Sequence, residues 1–333
     1  MSIFAKDVAI SLVDDAFVFA AQGGDVPFVL PAYVAVQEGT DRILALGAEA
    51  KAMLGKTPVN IRVERVLVEG MLVELRYAVS LFKMGLRTVR GGSFGLHPRV
   101  VVSLRTAGPV RWAVKNSAIE GGAREVYLLH VTMASAIGLD LDVQQPELKA
   151  VLTVSDDWFE FSVISLAGEL VSAGGPIGSR TFAEDLRNHA VCAHQISPER
   201  SVLEDRLFSL GVQPAKGVDV PGWVAWAGSA ELGRLTWQNF SANDIAIGIL
   251  PSLVKLSERI KEAIRLLPHE KQYELQRTTI HATGAAMGIP GLAEMLGMHI
   301  GMSVTPHVKE IHPSIEGART VMKEIKLLRR NKG

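Results

Sequence analysis

The chain has 333 residues, 48% of them hydrophobic and 21% charged, and its 35 Lys and Arg balance its 35 Asp and Glu. That length accommodates two ordinary domains, and the composition suits a packed globular protein rather than a disordered one. The balanced charge excludes a chain-wide nucleic-acid footprint, and the single Cys192 excludes an intrachain disulfide and fits a reducing compartment. With no base beside it in sequence, Cys192 reads as a small buried hydrophobe rather than a nucleophile.

The N-terminus lacks the basic, apolar and small-residue order of a signal peptide. No run of about eighteen uncharged apolar residues occurs, so no membrane span is expected and the expected location is cytoplasmic. In chain order, residues 8–13 and 16–21 are apolar runs separated by Asp14-Asp15, the pattern of a strand, tight turn and strand. Residues 27–31 and 33–36 read as two further extended pieces, and residues 46–55 as a helix closed by Gly55. A longer helix is predicted from Met71 to about Val89, ended by Gly91-Gly92. Residues 99–104 then form a continuous β-branched run, as in a strand buried on both faces. A helix over 112–120 stops at Gly121-Gly122, residues 125–129 form a strand, and residues 133–137 open a short helix.

At Leu148 the pattern restarts. Residues 149–154, an Asp156-Asp157 turn and residues 160–166 predict a second hairpin about 140 residues after the first. An internal duplication of a hairpin-led α/β lobe explains this better than one large sheet. Helices are predicted over 182–193, 202–209 and 245–267, a strand over 278–282 entering Thr283-Gly284-Ala285-Ala286-Met287-Gly288, and a helix over 290–296.

Several segments carry a family resemblance. Gly122-Ala123-Arg124-Glu125-Val126-Tyr127-Leu128 followed by Met133-Ala134-Ser135-Ala136-Ile137-Gly138 is similar to a segment of MreB-type bacterial actins. So are Met53-Leu54-Gly55-Lys56-Thr57-Pro58, Val163-Ile164-Ser165-Leu166-Ala167-Gly168, and Glu199-Arg200-Ser201 with Gly211. They occur in the family's order over nearly the whole chain. The resemblance implies an α/β, actin-like fold of two duplicated lobes around a central cleft, each with a five-stranded sheet. It places lobe I at 1–141, with a small subdomain near 33–66 and completion by a C-terminal helix over 315–333. Lobe II covers 142–314, with a small subdomain near 182–243. It also implies ATP and Mg²⁺ in the cleft.

Position by position, the family's nucleotide chemistry is degenerate here. Relatives carry Asp-Leu-Gly-Thr at the first hairpin turn, where this chain has Ser11, Leu12, Val13 and Asp14. Relatives carry Asp-Ile-Gly-Gly-Gly-Thr-Thr at the second, where this chain has Thr153, Val154, Ser155, Asp156, Asp157, Trp158 and Phe159. Both metal-facing carboxylates and all the turn glycines are replaced. Glycine permits the positive φ and close backbone approach that a phosphate nest requires, and Asp156-Asp157 would repel polyphosphate by several kcal/mol unless a cation lay between. The catalytic Glu-Glu-Pro of relatives is His130-Val131-Thr132, which leaves no catalytic residue to assign, although His130 reads as a base or as a structural residue. Gly178-Ser179-Arg180 replaces Gly-Gly-Asp on the ribose side. Gly284, Ala285 and Ala286 stand at the adenosine turn and suit either approach of a base or close packing. The four acids Asp14, Asp15, Asp156 and Asp157 suit either a shared hard cation or ordinary turns, and no metal site is assigned.

In relatives a small apolar loop meets the membrane; its counterpart here carries Phe94 and Leu96 on a glycine-rich segment after Lys83, Arg87 and Arg90. Trp223, Trp226 and Trp237 cluster in sequence near a subdomain tip, fitting an interface or a local core. The expectation is an MreB-like cytoskeletal or scaffold subunit that self-associates into filaments, with ATP hydrolysis lost and ATP/Mg weakened as a cofactor. It has no nucleic-acid partner, and contacts with other actin-like or cell-shape proteins and with the inner face of the cell membrane stay open. Two alternatives stay open as well: a working ATP-binding cell-shape protein with variant phosphate loops, and a non-polymerising pseudo-actin adaptor.

Overall fold

Asp14 and Asp15 turn the chain between β1 (Val8–Val13) and β2 (Ala16–Ala21). Both have positive φ, 48° and 57°, giving the two-residue turn whose twist matches that of paired strands, and Asp tolerates this backbone better than most side chains. Val13 therefore faces Ala16 and the ladder runs back to Val8 opposite Ala21. The computed structural model describes residues 7–24, 26–90, 97–105, 108–212, 223–229, 235–240, 242–309 and 312–330. For 108–109, 194, 223–229, 235–240, 242–243 and 325–330 the description is of the backbone.

The chain divides into two compact units, Met1–Asp142 with Ile311–Gly333, and Val143–Glu310. In the first, β3 (Phe28–Pro31) extends the hairpin. The strands β4 (Tyr33–Gln37), β5 (Arg42–Leu46) and β6 (Ile61–Arg65) form a separate three-stranded sheet covered by α1 (Ala48–Ala52), whose Ala50 packs on Tyr33 and Ala35. A short hairpin of β7 (Leu67–Val68) and β8 (Met71–Leu72) precedes α2 (Leu75–Arg90). The predicted helix start at Met71 is thus corrected. Glu69 and Gly70 both have positive φ, so the chain reverses there and Met71 pairs back with Val68 before the helix begins. Then follow β9 (Arg99–Leu104), α3 (Gly108–Glu120), β10 (Glu125–His130) and α4 (Val131–Gly138). The main sheet runs β10-β9-β1-β2-β3, with β1, β9 and β10 parallel. Its core face holds Leu12, Phe17, Phe19, Val100 and Val102 against Phe82 and Leu86 of α2. Gly85 lets α2 lie on Phe19, where a Cβ would fall 2.1 Å from the ring.

The second unit repeats the plan. Here β11 (Lys149–Val154), β12 (Phe159–Ser165) and β13 (Gly168–Gly175) form a meander, followed by α5 (Ser179–His194), β14 (Ile196–Ser197), α6 (Arg200–Leu210), β15 (Trp223–Ser229) and β16 (Leu235–Phe240). After these come α7 (Ala242–Arg265), α8 (His269–Leu275), β17 (Ile280–Thr283), a 3-10 turn (Ala285–Gly288), α9 (Leu292–Ile300) and β18 (Val304–Pro306). The sheet order β13-β12-β11-β17-β18 is the counterpart of β3-β2-β1-β9-β10, with three antiparallel strands and then two parallel additions. The duplication predicted from the two hairpins is therefore a duplication of whole sheets. Helix α7 runs through Pro251 without breaking, since the Ser252 N–H that follows is taken by the Asp185 carboxylate of α5 at 2.8 Å. Finally α10 (Pro313–Arg330) returns to the first unit, where Ile315, Ala318 and Met322 pack on Ala9, Val18, Ala20 and Val101.

The turn between β12 and β13 is built from Leu166 and Ala167, both at positive φ (50° and 58°) with no short polar side chain to favour it. Ala167→Gly is expected to raise stability by about 1 kcal/mol, the relieved left-handed strain outweighing the extra freedom of the unfolded chain. A denaturant midpoint at or below that of the parent would refute this.

Candidate functional site

The parallel strands β1 and β9 end together, and in open α/β sheets ligands lie beyond such carboxyl ends. At that end Ser11, in the place of the family's carboxylate, is fully buried, and its Oγ lies 2.6 Å from Oγ of Ser314 in the first turn of α10. Ser314 Oγ is 2.8 Å from His312 Nδ1, and the Ser314 backbone N–H donates to the same nitrogen at 3.2 Å. Nδ1 is thus the acceptor and Nε2 carries the proton, an assignment made from these partners. His312 is only 7% exposed, and burial pushes its pKa down to about 4, so it is neutral at pH 7. Among the described residues, His312 Nε2, Ser103 Oγ and Ser135 Oγ are buried without a hydrogen-bond partner. Ser103 is the register mate of Ser11 on β9, and Ser135 lies on α4. This end of the unit buries a cluster of hydroxyls and one neutral imidazole.

Val13 is buried as a core side chain, and Asp14 is half-buried. Asp15 faces the small sheet instead. It accepts from the Tyr33 hydroxyl at 3.0 Å and from Arg65 at 3.3 Å, tying the main hairpin to β4 and β6.

In the second unit Thr153, again in the place of a carboxylate, is buried, and its Oγ1 lies 3.0 Å from that of Thr283. Ser11 and Thr153 are thus each paired with a second hydroxyl of their own unit. The turn of Ser155, Asp156, Asp157 and Trp158 is closed by the Ser155 N–H donating to Trp158 O at 2.8 Å. The N-terminus of α5 packs directly on it. Ser179 N–H donates to Ser155 O at 3.2 Å, and Arg180 N–H to Asp156 O at 2.8 Å. The Ser179 hydroxyl donates to Asp156 Oδ1 at 3.1 Å. The Arg180 guanidinium lies 3.7 Å from Asp156 and 3.5 Å from Asp157. Gly178 makes this approach possible, because a Cβ there would fall 2.4 Å from Ser155 O. Free N–H groups at a helix start form a ready anion site, but here two of them are already bonded to the turn. Arg180, the last residue of the Gly178-Ser179-Arg180 segment, supplies a counter-charge to Asp156 and Asp157.

At the turn after β17 Gly284 has φ 98°, and a Cβ would fall 2.3 Å from Val154 O. Ala286 is fully buried in the core of the second unit and Ala285 is half-buried. Glycine and alanine at 284 and 286 thus serve the packing of β17 on β11. His130 precedes α4 with Nδ1 2.6 Å from Thr132 Oγ1. Cys192 is exposed on α5, a correction to its expected burial, because its position on the helix faces away from the core. Phe94 and Leu96 lie outside the described residues, as do the tryptophan side chains at 223, 226 and 237; the backbone pairs Trp226 with Trp237 across β15 and β16. Sequence reading missed the partners Ser314, His312, Thr283 and Arg180. Only Arg180, two residues after Gly178 and just before the helix predicted from 182, carried a local signal.

The family model of MreB/Mbl proteins matches residues 5–330. The chain is 23% identical over 265 residues to the cell shape-determining protein Mbl of Bacillus cereus, covering 79% of this chain and 75% of that one. With the cell shape-determining protein MreB of Escherichia coli it shares 30% over 194 residues, 56% of each chain. With that of Haemophilus influenzae it shares 34% over 190 residues, 55% of this chain and 54% of that one. The chain therefore spans little more than half the length of these two relatives. Among solved structures, MreB5 of Spiroplasma citri bound to AMPPNP matches with a TM-score of 0.85 at 20% identity, over 98% of this chain and 99% of that one. The MamK double helical filament matches with a TM-score of 0.75 at 14% identity, over 96% and 99%. The duplicated sheets, the sheet order and these likenesses establish the actin-like fold, and the chain belongs to the MreB/Mbl family.

Proposed function

We propose that this chain is a filament or scaffold subunit of the cell-shape cytoskeleton in which ATP hydrolysis is lost and nucleotide control of assembly is weakened. The two units are read as the two lobes of an actin-like subunit, and self-association is carried over from filament-forming relatives such as MamK. The observation that carries the loss of hydrolysis is the second hairpin turn, whose carboxylates and facing helix N–H groups are bonded to one another through Ser179 and Arg180. An incoming phosphate would have to displace those bonds while meeting two carboxylates. Ser11 and Thr153 offer neutral hydroxyls, already paired with other hydroxyls, where relatives carry carboxylates toward Mg²⁺, and His130 is bonded to Thr132. These residues do not fit Mg-ATP. Localisation at the inner membrane face, resting on Phe94 and Leu96 in sequence, belongs to the same proposal.

Calorimetric titration with Mg-ATP is expected to give no saturable heat below about 1 mM, equivalent to binding weaker than about 4 kcal/mol, and no phosphate release. Micromolar binding with turnover would overturn the loss of hydrolysis and restore the working-ATPase alternative. Sedimentation and negative-stain microscopy are expected to show assemblies with and without ATP. A strict monomer at high concentration would sink the filament reading and favour the adaptor.

A further inference from the structure

At the edge of the second unit's sheet, two residues before Thr283 on β17, two imidazoles meet. Strands β17 and β18 run parallel with His281 opposite Thr305, and the His307 N–H extends the ladder by donating to Ala282 O at 2.7 Å. His307 is two residues beyond Thr305, so His281 and His307 share one face of the sheet. His281 Nδ1 lies 3.0 Å from His307 Nε2, with the rings 5.2 Å apart and 30° from parallel. Both are half-buried, Thr305 beside them is exposed, and β18 is an edge strand. The pair takes no part in the nucleotide chemistry discussed above.

We propose that His281 and His307 form a two-imidazole site for a divalent transition metal of tetragonal preference, Cu²⁺ or Ni²⁺. The alternative is a plain N–H···N hydrogen bond that orders the sheet edge, and three observations favour the metal. First, the spacing is within reach of one ion, since two metal–nitrogen bonds of about 2.0–2.1 Å readily span nitrogens 3.0 Å apart. The Irving–Williams order places copper above nickel and zinc at such a site. Second, the pKa of both imidazoles is lowered, in the direction of the neutral, ligating form. Burial is the main cause for each; His307 and Lys149 add to the effect at His281, and Lys309 at His307. A neutral ring needs no net proton loss to ligate, only a tautomer shift that moves its hydrogen to the outer nitrogen. Third, the open edge leaves the remaining coordination positions to water.

Two features limit the affinity. Among the described residues no group of three or more His, Cys, Asp or Glu is placed around one point, so the protein supplies two ligands only. Lys149 and Lys309 also add positive charge nearby. Micromolar rather than nanomolar binding is the expectation.

The test is titration of the full chain with CuCl₂ and NiCl₂ by calorimetry, with electron paramagnetic resonance of the copper complex. One metal per chain is expected, with hyperfine structure from two nitrogens, and with Zn²⁺ bound more weakly. His281→Ala and His307→Ala are each expected to lower the affinity at least about tenfold, since loss even of supporting contacts costs that much. His269→Ala, exposed at the start of α8, should leave it unchanged. The resonance spectrum needs no variant, so it reports even if a substitution impairs folding. No saturable one-to-one binding to the parent chain, or parent-like affinity in either His→Ala variant, would overturn the proposal.

Discussion

Gly317→Ala is expected to destabilise the first unit by about 4 kcal/mol or more, among the largest effects of a single substitution. A Cβ on Gly317 would lie 1.8 Å from the carbonyl oxygen of Ala134 in α4, and one on Gly138 would lie 1.9 Å from that of Pro313. The two helices thus cross backbone to backbone, with a glycine from each at the contact. Helix propensity alone would favour alanine by about 1 kcal/mol, so the sign of the result separates the two effects. The clash is expected to win, because the obstructing atoms belong to peptide groups that cannot rotate aside. Pushing α10 outward would also lift Ile315, Ala318 and Met322 from Ala9 and Val101, opening a void in a close-packed layer. Gly168→Ala serves as the control, since its Cβ would meet only Ser165 O at an ordinary 3.5 Å. Denaturant unfolding of both variants decides the matter. A Gly317→Ala protein within 1 kcal/mol of the parent, on the scale of ordinary surface changes, would show that the crossing is looser.

Acidification is expected to produce the second large effect, through His312. Its folded pKa of about 4 lies below the value of about 6.5 for an unfolded imidazole. Between those values the unfolded chain binds a proton that the folded chain refuses, so stability falls as the pH drops through that window. Above pH 6.5 the group contributes no slope, and by pH 4 it has removed about 3 kcal/mol. His281 and His307 are shifted in the same direction and add to the fall. His312→Asn keeps a side-chain oxygen able to accept the Ser314 N–H and removes the titration, so its stability should be flatter between pH 7 and 4. Parallel pH profiles for the variant and the parent would rule out His312 as the source.

The buried imidazole also explains why Ser11 is tolerated at the end of β1. A carboxylate there would face Ser314 and a neutral ring in a layer sealed by α4 and α10. The hydroxyl instead joins a chain from Ser11 through Ser314 to His312 Nδ1. Thr153 with Thr283 makes the corresponding accommodation in the second unit. Both buried hydroxyls thus have partners that satisfy them, as buried polar groups require.

Much of the framework was legible in the residues because it is written in local patterns. Two apolar runs around Asp14-Asp15, and two more around Asp156-Asp157, announce hairpins, and their recurrence announces duplication. The replaced glycines and carboxylates at Ser11, Val13, Thr153 and Ser155 were equally visible, since each is a matter of residue type at a known place. Boundaries moved where backbone sign decided them, as at Glu69-Gly70, which delays α2 to Leu75.

What the sequence by itself determined, then, is the pair of hairpin-led α/β units and the residue types at their turns. Only the tertiary structure decided what the substituted residues do. Ser11 meets Ser314 from 303 positions away, Thr153 meets Thr283 from 130, and Arg180 crosses 23 to reach Asp157. The same holds for His281 and His307, 26 residues apart and joined only because β17 and β18 lie side by side. Periodicity and turn chemistry report the forces between near neighbours along the chain. Pairing of buried polar groups depends on which strand ends and helix starts the fold brings together, and no local pattern carries that.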